Sequence, residues 1–145
     1  MQIHAADETA RRNAETIVTL YDEMINQRQP VEAVRTYVRP DYIQHNPMIP
    51  DGNEALGQFF AQVQAAFSLS RVEVHNVIAV GDWVWAHVHF LNLTNDEPDD
   101  PGLNGVDIYR FDDAGMLAEH WDAVQPIEPG PAANDNGIFG VKGQP

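Results

Sequence analysis

The chain contains no cysteine among its 145 residues, so disulfides, thiolate nucleophiles and cysteine-held metals are excluded. No apolar run approaches the length of a bilayer-spanning helix. The first ten residues lack the basic-then-apolar order of a secretory signal. These absences fit a reducing compartment, and a cytoplasmic location is expected. Positive charge is also scarce. Lys and Arg number 8 against 22 Asp and Glu, for a formal net charge of −14. Only Arg11 and Arg12 are adjacent. A chain this acidic repels phosphate backbones and anionic lipid surfaces, so no nucleic acid and no membrane is expected as a partner. The acidity reads as a solvated surface.

What is present is an ordinary globular composition, 43% hydrophobic and 21% charged. That length and composition suit one domain with one core. Asp7 is placed to cap a first helix whose inward stripe is Ala10, Ala14, Ile17, Tyr21 and Met24. Residues 26–29 break that pattern. Pro30 opens a second helix with Val31, Val34 and Tyr37 or Val38 inward, and Pro40 is expected to stop it. Residues 42–46 read as short and extended, followed by a rigid loop over 47–52. Asn53 is expected to cap a third helix that buries Leu56, Phe59, Phe60, Val63 and Phe67.

After Ser70 the hydrophobic period changes from that of a helix to that of a strand. Residues 71–80 and 83–93 read as strands joined by the turn Gly81-Asp82. A polar, acidic loop covers 94–104. Then Val106-Asp107-Ile108-Tyr109-Arg110-Phe111, the turn Asp112-Asp113-Ala114-Gly115 and Met116-Leu117-Ala118-Glu119-His120-Trp121-Asp122 form a hairpin. Helices followed by antiparallel strands give an α+β domain over residues 1–126. Residues 127–145 are a Gly-, Pro- and Asn-rich tail. Its apolar islands Ile138, Phe139 and Val141 are candidates to dock on the domain or on a dimer partner.

The hairpin carries the chemistry. Alternation sets Asp107 on one strand face with Tyr109 and Phe111, and His120 and Asp122 on one face with Ala118 and Val124. Ionisable groups among apolar neighbours are costly to bury, which makes them candidates for catalysis. Asp107 is expected as acid/base or as donor to a developing oxyanion; the plain structural alternative is a carboxylate bonded to backbone or a cation. His120 with Asp122 is a possible base with its orienting carboxylate, or a hydrogen-bonded core pair. His87 and His89 share a strand face with Trp83 and Trp85. If that face is concave, His89 joins the catalytic set, and His87 and Trp85 contact substrate. His-x-His followed by His-x-Asp also invites a metal reading, but the spacing is loose and no metal is expected. His45, Asn46 and Tyr21 complete the expected substrate-binding residues. His4 and His75 read as surface residues.

The chain resembles the SnoaL-like polyketide cyclases, a branch of the nuclear transport factor 2-like superfamily that also contains ketosteroid isomerase. The matching segments are Tyr42-Ile43-Gln44-His45-Asn46-Pro47 with Asp51-Gly52, then Val106 to Phe111, then Glu119-His120-Trp121-Asp122 through Gln125-Pro126, and Asn136-Gly137-Ile138-Phe139. It is similar to a bacterial subgroup described as predicted aldol-condensation-type enzymes. The resemblance implies a conical, mostly antiparallel sheet curved around a pocket that N-terminal helices close, and a homodimer through the outer sheet face. It implies a cofactor-independent enzyme doing acid/base chemistry on a small, largely apolar carbonyl compound, by aldol cyclisation or isomerisation. Compared with ketosteroid isomerase, Tyr21 stands at the oxyanion tyrosine and Asp107 at the neutral oxyanion aspartate. That enzyme's aspartate base precedes a proline, where this chain has Asn46-Pro47. Asn cannot abstract a proton, so the same steroid-isomerase route is not expected. Two alternatives stay open: an epoxide-type hydrolase, which needs an arginine bridging two carboxylates in the pocket, and a non-catalytic small-molecule-binding module.

Overall fold

The computed structural model describes residues 1–131 and 133–140. Asp7 begins helix α1 (Glu8–Tyr21) by accepting the Ala10 N–H at 2.9 Å, as a cap should. The inward stripe includes Ala10, Ala14, Ile17 and Tyr21, all buried. The helix does not stop there. It loosens into a π-helical turn, Asp22–Asn26, that buries Met24 and Ile25. The Asn26 side chain then pairs with Val72, accepting from its N–H at 2.9 Å and donating to its carbonyl at 3.1 Å.

Helix α2 (Pro30–Tyr37) starts on proline as expected, but ends before Pro40. The chain passes directly into strand β2 (Val38–Gln44), with Pro40 inside it. Pro40 is tolerated because β2 is an edge strand whose pairing is irregular between Val38 and Ile43. Helix α3 (Asn53–Ala66) is capped by Gly52, not by Asn53. The Asn53 amide instead donates to the Val38 carbonyl at 2.9 Å, tying α3 to the start of β2.

The six strands lie in one curved sheet of order β1-β3-β4-β5-β6-β2. Beside β2 they are β1 (Gln2–Ala5), β3 (Arg71–Val80), β4 (Trp83–Leu91), β5 (Leu103–Phe111) and β6 (Leu117–Pro126). The four central strands are antiparallel; the edge strands β1 and β2 run parallel to β3 and β6. Strand β1 carries no sequence signal, being four residues long and half-buried. The helices and the concave face share one core, including Ile17, Ile25, Val34, Val77, Val84, Val88, Phe111 and Leu117. Gly105 is part of that packing, since a Cβ there would stand 2.9 Å from both Phe90 and Val88. In the tail, Phe139 stacks on the rings of His75 and His89, with centroids at 4.4 and 4.5 Å. Ile138 is exposed, and Val141 lies outside the described residues. No helix among the described residues is long and apolar enough to cross a membrane.

Candidate functional site

Register decides which side chains meet inside the cone. Asp107 pairs with Ala86 on one side and Asp122 on the other, and Tyr109 pairs with Val84 and His120. Paired residues share a face, so Asp107, Tyr109, His120 and Asp122 all look toward the concave side, where Val84 and Ala86 are wholly buried. Helix α1 brings Tyr21 down onto them, and β2 brings Tyr42 and Gln44. These seven residues line a narrow cavity with about 430 Å³ of empty space including its mouth, walled otherwise by Leu20, Met24, Ile49, Leu56, Phe60, Phe90 and Leu117.

The polar groups form one continuous hydrogen-bonded chain. The Tyr109 hydroxyl donates to the Tyr21 hydroxyl, and Tyr21 donates to Asp107 Oδ2. Asp107 Oδ1 lies 3.1 Å from His120 Nε2. His120 Nδ1 lies 2.9 Å from Gln44 Oε1. The Asn46 backbone N–H also points at Gln44 Oε1, at 2.9 Å. A backbone N–H requires an acceptor, so the Gln44 oxygen faces it, and His120 Nδ1 must carry a hydrogen to share that oxygen. The Gln44 amide donates onward to the Tyr42 hydroxyl at 3.1 Å. One proton therefore sits between His120 Nε2 and Asp107 Oδ1, since two bare acceptors at that distance repel.

Asp107 is 2% exposed and His120 7%. Burial first, then the Asp107 carboxylate, holds the hydroxyls of Tyr21 and Tyr109 well above the ordinary phenol range. Burial first, then Asp107, does the same to Tyr42. All three phenols are thus neutral hydrogen-bond donors at physiological pH. Asp122 is half-buried and accepts from the Asn46 side chain at 2.6 Å. Asp107, His120 and Asp122 each offer a ligand atom within 4.8 Å of the others, a nitrogen-and-oxygen set of the kind that suits a divalent cation. Most of that capacity is already spent on Tyr21, Asn46, Gln44 and the shared proton.

Four of the expected site residues lie elsewhere. Trp85, His87 and His89 face the convex side, because alternation gives the concave side of β4 to Val84, Ala86, Val88 and Phe90. His87 Nε2 bonds Asn104 Oδ1, and His89 Nε2 donates to the Pro101 carbonyl, both at 2.8 Å. Neither imidazole can reach Asp107, and Trp85 stands 38% exposed. His45 also turns outward, 2.9 Å from Glu119 Oε1 and stacked on Trp121 at 4.5 Å. His75, read as a surface residue, is half-buried on the same convex face. Asn46 reaches the site through Asp122. Sequence reasoning missed Gln44, Tyr42 and Tyr109. Tyr109 was visible as a face-mate of Asp107, but Gln44 meets His120 only through a parallel pairing of residues 76 apart. Arg110, the arginine an epoxide-type site would need beside Asp107, is bonded to Glu119 at 2.6 Å on the convex face.

Comparison with known proteins agrees with this architecture. The SnoaL-like domain family matches residues 17–120. No curated protein matches the chain. Among solved structures, a candidate polyketide cyclase from Bacillus cereus is similar at 19% identity and TM-score 0.68, covering 84% of this chain and 83% of that one. An NTF2-like protein of unknown function from Mesorhizobium loti gives 18% identity and TM-score 0.66, over 86% of this chain and 99% of that one. A steroid delta-isomerase from Pseudomonas aeruginosa gives 19% identity and TM-score 0.57, over 80% and 81%. At such identities the structural likeness speaks for the shared fold. The chain belongs to the SnoaL-like domain family.

Proposed function

We propose that this protein is a cofactor-independent acid/base enzyme acting on a small, largely apolar carbonyl compound, by aldol cyclisation or isomerisation. The observation that carries the reading is the 3.1 Å contact of Asp107 Oδ1 with His120 Nε2, which requires a shared proton, at the wall of an otherwise greasy cavity. With the proton on His120, the Asp107 carboxylate can take a hydrogen from the carbon beside a carbonyl, while the imidazolium gives its Nε2 hydrogen to the developing enolate oxygen. The dyad then holds a protonated Asp107 and a neutral His120, and its total proton count is unchanged. Return of those protons at another carbon, or attack of the enol on a second carbonyl in the same molecule, completes isomerisation or ring closure. Tyr21 anchors Asp107 through Oδ2. Gln44 holds the His120 tautomer that leaves Nε2 facing Asp107.

The test does not require the natural substrate. In heavy water, the protein should exchange hydrogen for deuterium beside the carbonyl of small ketones and β-dicarbonyl compounds, followed by proton magnetic resonance. Asp107→Asn and His120→Ala should each slow this by at least about a hundredfold, the lower end of what positioned acid–base groups contribute. Exchange that continues at full rate in the Asp107→Asn, His120→Ala double variant would end the proposal.

A further inference from the structure

The convex face holds a second group of ionisable side chains, which the proposed reaction does not use. Glu73 and His89 stand directly opposite each other in the β3–β4 ladder. Between Val74 and Asn76 the register slips, and His75 is the extra residue. A bulge takes its residue out of the ladder and re-aims the side chain. This one sets the His75 ring beside Glu73 and His89, so that one donor atom from each of the three lies within 4.8 Å of the other two.

The hydrogen positions suit ligation. A carbonyl only accepts, so His89 Nε2 spends its hydrogen on Pro101 and leaves Nδ1 with a free lone pair. Metal-bound imidazoles are commonly anchored in this way through their second nitrogen. His75 Nε2 is shut off from solvent and has no hydrogen-bond partner among the described residues. Glu73 Oε2 lies 3.9 Å from it, too far for a hydrogen bond. A buried ring nitrogen left without a partner calls for an explanation.

We propose that Glu73, His75 and His89 bind a divalent cation of the zinc class on the convex face, under the ring of Phe139. Two imidazoles and one carboxylate suit a borderline cation better than calcium or magnesium, which take oxygen ligands. Bonds of about 2.1 Å put tetrahedral ligand atoms roughly 3.4 Å apart, so side-chain rotations of about 1 Å close the triangle. Glu73 must yield its exposed contact with Arg71, now 3.5 Å away. The ligand set leaves the fourth position to water. Phe139, stacked on both imidazoles, limits how freely that water exchanges.

The test uses the untagged full chain, stripped with a chelator and titrated with zinc chloride alone by calorimetry. Cobalt(II) absorption on the unaltered chain reports the donor set without any substitution. One saturable zinc per chain is expected, with a cobalt band of four- or five-coordinate character. Binding should weaken at least about tenfold in His75→Ala and in His89→Ala, and again in Glu73→Gln, a surface change chosen to leave folding intact. The Asp107→Asn, His120→Ala variant should bind as the parent does, and circular dichroism confirms that each variant is folded. The proposal is overturned by an absence of saturable binding, or by binding that survives all three convex-face variants. It is equally overturned by binding lost only in the pocket variant, which would put the ion on Asp107, His120 and Asp122.

Discussion

At the scale of single residues, the site works by denying its polar groups any alternative partner. Tyr21 is buried and donates to Asp107, while Tyr109 donates to Tyr21. Their raised titration points have a consequence at alkaline pH. A phenol whose folded pKa lies above its unfolded value contributes stability that is fully present below about pH 10 and is lost as pH rises beyond it, because the unfolded chain ionises first. Of the four tyrosines, Tyr21, Tyr42 and Tyr109 should form phenolate only as the protein unfolds. Half-buried Tyr37 is the one expected to titrate in the folded state. Phenolate absorbance followed alongside circular dichroism checks this, and more than one phenolate before unfolding would contradict it. Gln44 acts through His120 and is a positioning residue. Gln44→Ala should cut turnover by about a hundredfold and alter its pH profile, while Gln44→Glu, which keeps an acceptor for both His120 and Asn46, should retain more. Imidazole nitrogen shifts in magnetic resonance would show whether the Nδ1–H tautomer is lost in the alanine variant alone.

At the scale of elements, the cone depends on close backbone approaches and local irregularities. Gly57 on α3 faces α2, where a Cβ would stand 2.9 Å from a Val34 methyl and 3.3 Å from the Val31 Cα. Alanine in place of glycine gains about 1 kcal/mol of helix propensity but costs about 1–3 kcal/mol in overpacking. The Val34 methyl can shift and the Val31 backbone cannot, so Gly57→Ala should lower stability by about 1 kcal/mol net. Urea unfolding measures this, and a rise in the midpoint would mean that α2 slides away. The same scale explains where sequence reading succeeded and failed. The stripe of α1 and the hairpin of β5 and β6 were legible because both obey one period over many residues. The π-helical turn after Tyr21, the bulge at His75 and the proline inside β2 were not. Each is an interruption whose benefit lies in a distant partner, such as Val72 for the Asn26 side chain.

At the scale of the whole molecule, the sheet has two faces of different character. The concave face is closed by helices. The convex face leaves Ile78, Val80, Trp85 and Val106 exposed, beside stacked Trp83 and Trp121. Apolar residues this concentrated on one sheet face point to a partner surface, and a second copy of the chain is the occupant we propose. Sedimentation should show a dimer for the parent chain and a monomer for Trp85→Glu, with the pocket chemistry retained. A monomeric parent at micromolar concentration would refute the assignment. Trp85 lies toward the end of β4 away from His89, so dimerisation and the proposed cation site are separable by substitution.

The sequence by itself determined the fold class and the grouping of Asp107 with Tyr109 on one strand face and of His120 with Asp122 on another, because hydrophobic period and the hairpin turn are local and alternate residues must share a face. It also determined that Arg110 points away from Asp107, by the same alternation. Only the tertiary structure decided which face of β4 looks inward. Alternation splits Trp83, Trp85, His87 and His89 from Val84, Ala86, Val88 and Phe90, but both sets are apolar enough to be buried. Contact with the helices chose the aliphatic set. Tertiary structure likewise brought Gln44 to His120 across 76 residues and turned His45 out to Glu119. Parallel pairing of an edge strand with an inner strand far away in the chain leaves no periodic trace, since its register is set by the packing of everything between them.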